Sequence, residues 1–126
     1  MQAMKAQISI EAIFIFAAAL MIFTAMSMLS FSRQNDLDAI GQQMSNANEC
    51  EKLADEVRSV FMLDWGASSN IAIESDFKIS NGAAYFGGVI CSLCCNVTNG
   101  TATNFNMNRG TIALSNIGGK IRIGAA

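Results

Sequence analysis

The sequence has no histidine and no proline. The first absence removes Ser-His-Asp and Cys-His nucleophile arrangements and every His-bearing metal site. The second removes the residue that most reliably ends a helix. Charge is scarce as well: charged side chains are 14% of the chain, with 8 basic and 10 acidic residues and a net charge of −2. That is lean for a soluble domain. The few charges are spread thinly, so no basic patch argues for nucleic acid. Hydrophobic residues take up 52% of the 126 positions, enough for one small domain and a further apolar segment. No internal repeat or low-complexity linker is visible.

Much of that apolar excess sits in one block. From Ala12 to Phe31 the only polar side chains are Thr24, Ser27 and Ser30. The block is about 20 residues long, roughly 30 Å as a helix, which matches one bilayer core. A secretory core is shorter and is followed by a small-x-small cleavage site, for which Ala25-Met26-Ser27 would have to serve. A retained membrane helix fits the pattern better than a cleaved signal. Lys5 precedes the block and Arg33 follows it, so flanking charge gives little orientation signal. Glu11 at its lip is unusual, because a carboxylate there interrupts the passage from basic leader to apolar core.

Beyond Arg33 apolar residues recur at Leu37, Ile40, Met44, Ala47, Cys50, Leu53 or Ala54, Val57, Val60 and Phe61. Spacings of three and four predict one apolar stripe on a helix. Asp36, Asp38, Gln42, Gln43, Asn46, Glu49, Glu51, Asp55 and Glu56 would form the opposite face. Gly41 is the weak point, costing about 1 kcal/mol relative to Ala. A single helix from Ile8 to Leu63 is therefore expected, apolar all round in its first half and amphipathic in its second.

Trp65-Gly66-Ala67-Ser68-Ser69-Asn70 should close that helix, and the period then changes. Ile71–Ile73, Phe77–Ile79, Ala84–Phe86, Val89–Thr98, Thr111–Leu114 and Lys120–Ile123 read as strands. Asn81-Gly82, Asn99-Gly100 and Gly118-Gly119 are hairpin signals, since a type I′ turn needs φ > 0 at both central positions. The result is an antiparallel β domain of about 55 residues, too small for a generous core of its own. The amphipathic half of the helix would supply the missing apolar surface. The fold class is α+β.

Cys50 lies on the helix stripe, and three more cysteines lie in VICSLCCNVT. Strand alternation puts Cys91 and Cys95 on one face and Cys94 on the other. Cys50 can then meet either Cys91 or Cys95. A Cys50–Cys91 bridge would close a loop of about 40 residues, worth roughly 4 kcal/mol in the chain-entropy model. The competing readings are buried free thiols and a four-thiolate zinc site, the latter opposed by the alternating strand faces. A redox pair Cys91-x-x-Cys94 would need a helix N-terminus to lower a thiol pKa, which a strand does not offer. Asn96-Val97-Thr98 and Asn99-Gly100-Thr101 are N-glycosylation sequons at a predicted turn.

Gln7-Ile8-Ser9-Ile10-Glu11, preceded by Lys5-Ala6 and followed by the apolar helix, resembles the class III signal sequence of archaeal type IV pilin-like proteins. That pattern is Gln-x-Ser-x-Glu-x-x-x-Leu, here with Ile15 at the last position and Ala6 where Gly is common. NECEKLADEVRSV followed by a small β domain is similar to these pilins in layout. The resemblance implies that a membrane prepilin peptidase cuts between Ala6 and Gln7. The divisions are then a leader 1–6, an apolar transmembrane or filament-core helix 7–32, its amphipathic continuation 33–64 and a β domain 65–126. It also implies partners: copies of the chain in a helical filament, an assembly ATPase and a membrane platform protein. No cofactor, active site or nucleic acid is expected. The precursor would sit in the membrane and the product on the cell surface.

The physical reading gives Glu11 a task. A carboxylate is costly in lipid unless paired. Cleavage before Gln7 creates an α-amine, and a neighbour's Glu11 can pair with it, favouring one axial register as subunits stack. If Gln7 cyclises, Ser9 or a backbone group must take that place. The alternative is a membrane-anchored extracellular binding module, such as a minor pilin or adhesin, outside the filament shaft.

Overall fold

The computed structural model describes residues 2–126, apart from the side chains of Gln2, Ala3 and Ala6. Met1 of the expected leader, and the Ala6 side chain at the expected cleavage point, lie outside the described residues. Helix α1 spans Gln2–Met62. It is followed by β1 Ser68–Ile73, β2 Phe77–Ser80, β3 Ala83–Phe86, β4 Val89–Ser92, β5 Val97–Thr98, β6 Phe105–Met107, β7 Gly110–Ile117 and β8 Lys120–Ala125. The chain divides into two units, Met1–Ile40 and Gly41–Ala126. The first consists of helix in its described residues; the second holds the rest of α1 and the β elements.

In the second unit the strands form two four-stranded sheets, ordered β1-β7-β8-β5 and β4-β3-β2-β6. Two of the expected hairpins form. Asn81-Gly82 turns β2 into β3 with φ of 51° and 76°, and Gly118-Gly119 turns β7 into β8 with φ of 61° and 82°. These left-handed conformations match the twist of the flanking strands.

Three expectations need correction. Val89–Thr98 is not one strand: β4 stops at Ser92, Leu93–Asn96 crosses between sheets, and β5 joins the other sheet. The β domain is also not wholly antiparallel, because β5 runs parallel to β8, with Val97 opposite Ile121. Asn99-Gly100 makes no hairpin. The Asn99 side-chain oxygen instead accepts from the Thr101 N–H at 3.0 Å and the Ala102 N–H at 2.8 Å, a tight polar turn leading to β6. Local side-chain bonding of this kind competes with a strand ladder.

The core lies between the sheets and the second half of α1. Cys50, Leu53, Val57 and Val60, spaced by three and four, are each 1% exposed or less. They pack with Ile79, Phe86, Ile112, Leu114, Ile121 and Ile123. Phe77 and Phe86 stack with ring centroids 5.0 Å apart. Complete burial of a side chain such as Leu53 stabilises by about 1.5–3 kcal/mol. A small β domain thus borrows its missing apolar surface from the helix.

Polar residues of α1 also serve this packing. Strand β1 is a sheet edge, with backbone groups that need partners. Glu49 accepts the Glu74 N–H at 3.1 Å, Lys52 donates to the Ala72 carbonyl at 2.8 Å, and Ser69 donates to Glu56. Glu49, expected on the exposed face, is buried as a result. At the other end of this helix segment, Asn116 is 2% exposed on β7. Its amide donates to the carbonyls of Val60, Phe61 and Leu63 at 3.3–3.4 Å, while its oxygen accepts the Gly119 N–H at 3.2 Å. It satisfies helix-end carbonyls that would otherwise lack partners.

Candidate assembly surface

In the first unit the helix buries no large apolar side chain among the described residues. Ile13, Phe14, Ile15, Phe16, Met21, Ile22, Phe23, Met26 and Leu29 are all exposed, on every side of the cylinder. This segment is long and apolar enough to cross a membrane. Two of its hydroxyls are satisfied internally: Thr24 donates to the Met21 carbonyl and Ser27 to the Phe23 carbonyl, each at 2.9 Å. Such back-bonding lets Ser and Thr sit where water is absent.

Glu11 is the exception. Among the described residues its carboxylate forms no ion pair. Gln7, one turn earlier, shares a shallow groove with it, together with Met4 and Ile8. Positions four apart lie on one helix face, so Gln7 and Glu11 are neighbours on the surface.

The stripe expected after Arg33 does not run straight to the core. Cys50 to Val60 face the sheets, yet Leu37, Ile40 and Met44 are 65%, 52% and 63% exposed, and Ala47 is exposed too. Helix periodicity explains the difference. Met44 and Leu53 lie about two and a half turns apart, so they point to opposite sides. The successive short steps from Met44 through Ala47 to Cys50 and Leu53 carry the apolar line round the helix. In sequence Leu37, Ile40 and Met44 keep the three-and-four spacing of a helix–helix seam, and each is exposed.

All four cysteines are in disulfides. Cys50 bonds to Cys91, with Cα atoms 6.0 Å apart, and Cys94 bonds to its neighbour Cys95. Cys91-x-x-Cys94 is therefore not a redox pair, and four thiolates are not brought together for zinc. The break at Ser92 takes Cys95 out of the strand that holds Cys91. Of the sequon residues, Asn96 is exposed, and its carbonyl accepts the Ile121 N–H at 2.9 Å. Asn99 is half-buried in the turn described above.

Asn116 and Glu49 carried little sequence signal. Asn116 sits at an inward position in an alternating strand, which is the one hint that it has buried partners. Both join the helix to the β elements. No family model matches the chain, and no curated protein or solved structure is detectably similar to it.

Proposed function

We propose that the chain is a structural subunit of a type IV pilin-like surface filament, polymerising through α1. The observation that carries this reading is a helix with apolar side chains exposed all round and, at its margin, a carboxylate, Glu11, that forms no ion pair among the described residues. Such a helix requires lipid or other helices around it. A simple anchor gains nothing from Glu11, which raises the cost of insertion. A filament does, because apolar helices slide past one another and a polar pair fixes their stagger.

In this reading a prepilin peptidase cuts Ala6–Gln7 and leaves α1 on the mature chain. The helix first sits in the bilayer. An assembly ATPase and membrane platform protein then deliver it to the filament, where a neighbour's Gln7 amine meets Glu11. The exposed Leu37, Ile40 and Met44 extend the helix–helix contact beyond the bilayer segment. The disulfide-tied β domain faces outward, with Asn96 and Asn99 as glycosylation acceptors.

The test is to shear producing cells and follow the chain by antibody. Recovery in filaments in the sheared fraction supports the proposal. Retention of all mature chain in the membrane fraction, with no labelled filaments, refutes it and favours a membrane-anchored binding module.

A further inference from the structure

The two disulfides share the stretch Cys91 to Cys95 but lie in different environments. Cys50 is 1% exposed, and its bond to Cys91 spans a sequence separation of 41. Opening it returns a long loop to the unfolded chain and disturbs the seat of the helix. Cys94 and Cys95 have a sequence separation of 1, so opening their bond releases no loop.

They lie in the crossover between β4 and β5, where Cys94 is exposed and Cys95 half-buried. Other contacts fix this crossover. Leu93 and Val97 on either side are 9% and 3% exposed. The Leu93 N–H donates to the Gly82 carbonyl and the Ile121 N–H to the Asn96 carbonyl, both at 2.9 Å. The fold thus has no evident need of the second bond. Access to sulfur governs thiol exchange, and this pair lines an open hollow with Phe61, Asn81, Gly82 and Ser92.

We propose that Cys94–Cys95 is a thiol-exchange site whose partner is a dithiol reductant. A reductant thiolate attacks one sulfur, giving a mixed disulfide and releasing the other as a thiolate that takes up a proton. The reductant's second thiol then displaces the remaining sulfur. The chain ends with two thiols and the reductant with an internal disulfide, so two electrons and two protons have moved to the chain. An oxidised dithiol reverses the sequence. Cys50–Cys91 stays closed throughout. The site does not depend on polymerisation of the chain.

The experiment uses the full chain in its own membrane. It is equilibrated with graded dithiothreitol, alkylated, digested and mapped by mass, with a parallel melting curve. Cys94 and Cys95 should open at roughly tenfold lower dithiothreitol than Cys50 and Cys91. The melting temperature should hold until Cys50–Cys91 opens. Opening of both bonds together, or alkylation of Cys94 and Cys95 before reductant is added, overturns the proposal. Bonding of either residue to another cysteine, or a fall in melting temperature at the first step, overturns it as well.

Discussion

Removing the Cys50–Cys91 bond gives a large and calculable perturbation of the second unit. The cleanest variant is Cys50→Ala with Cys91→Ala, which leaves no stray thiol to pair with Cys94 or Cys95. Serine at position 50 would add a buried hydroxyl to the effect, because that site is 1% exposed. The bond spans a separation of 41 residues. In the chain-entropy model such a loop contributes about 4 kcal/mol at room temperature. Domains of this size have a total stability of roughly 4–13 kcal/mol, so the loss is a large share of it. At about 4–8 °C per kcal/mol, the melting temperature should fall by roughly 15–30 °C. Circular dichroism melts of the full chain in detergent, following the β signal, measure this directly. A double variant that melts within about 3 °C of the parent would refute the reasoning. It would mean that the helix holds its seat on the sheets without the covalent tie.

The same melts test other contacts. Asn116→Ala should lose about 1–3 kcal/mol, because three helix-end carbonyls and the Gly119 N–H lose a partner together; an unchanged melt would show that water replaces the amide freely. Leu53→Ala should cost about 2–5 kcal/mol, whereas Met44→Ala should change the isolated chain by less than about 0.5 kcal/mol, since one is buried and the other exposed. Equal effects at the two sites would contradict the opposite facing of Met44 and Leu53. Intact mass of exported protein should lack Met1 to Ala6; material starting at Met1 or near Met28 would contradict processing before Gln7. Glu11→Ala should be cleaved normally yet stay in the membrane fraction, with Glu11→Gln milder; wild-type filament yield from Glu11→Ala would remove the register role.

The helix was legible because nothing in Ile8–Leu63 opposes it: no proline, one glycine, and apolar residues at helical spacing. Its direction of facing was not. A line of apolar residues at spacings of three and four looks continuous in sequence, but successive short steps rotate it, and Met44 leaves the face that Leu53 occupies. The Asn81-Gly82 and Gly118-Gly119 turns were readable because few other residue pairs adopt two left-handed conformations in succession. Strand β6 was missed because Phe105–Met107 is three residues long and has no alternation to detect. The parallel pairing of β5 was hidden for a related reason: VICSLCCNVT alternates acceptably along its length, and only tertiary competition for Leu93 and Val97 breaks it in two. Glu49 was assigned to solvent by its charge, yet it accepts the N–H of Glu74, just past the end of edge strand β1, and is buried there. At the proposed assembly surface, Gln7 and Glu11 were plain in sequence, whereas the exposure of Leu37, Ile40 and Met44 emerged only with the fold.

The central claim is that α1 is the polymerising element and that Glu11 sets its register. An electron cryomicroscopy reconstruction of sheared filaments tests both together. The account predicts α1 helices bundled about the filament axis, a first residue at Gln7, and each Glu11 carboxylate within hydrogen-bond distance of a neighbouring chain's N-terminus. Filaments whose subunits meet only through their β domains, with α1 outside the core or Glu11 facing no partner, would contradict it.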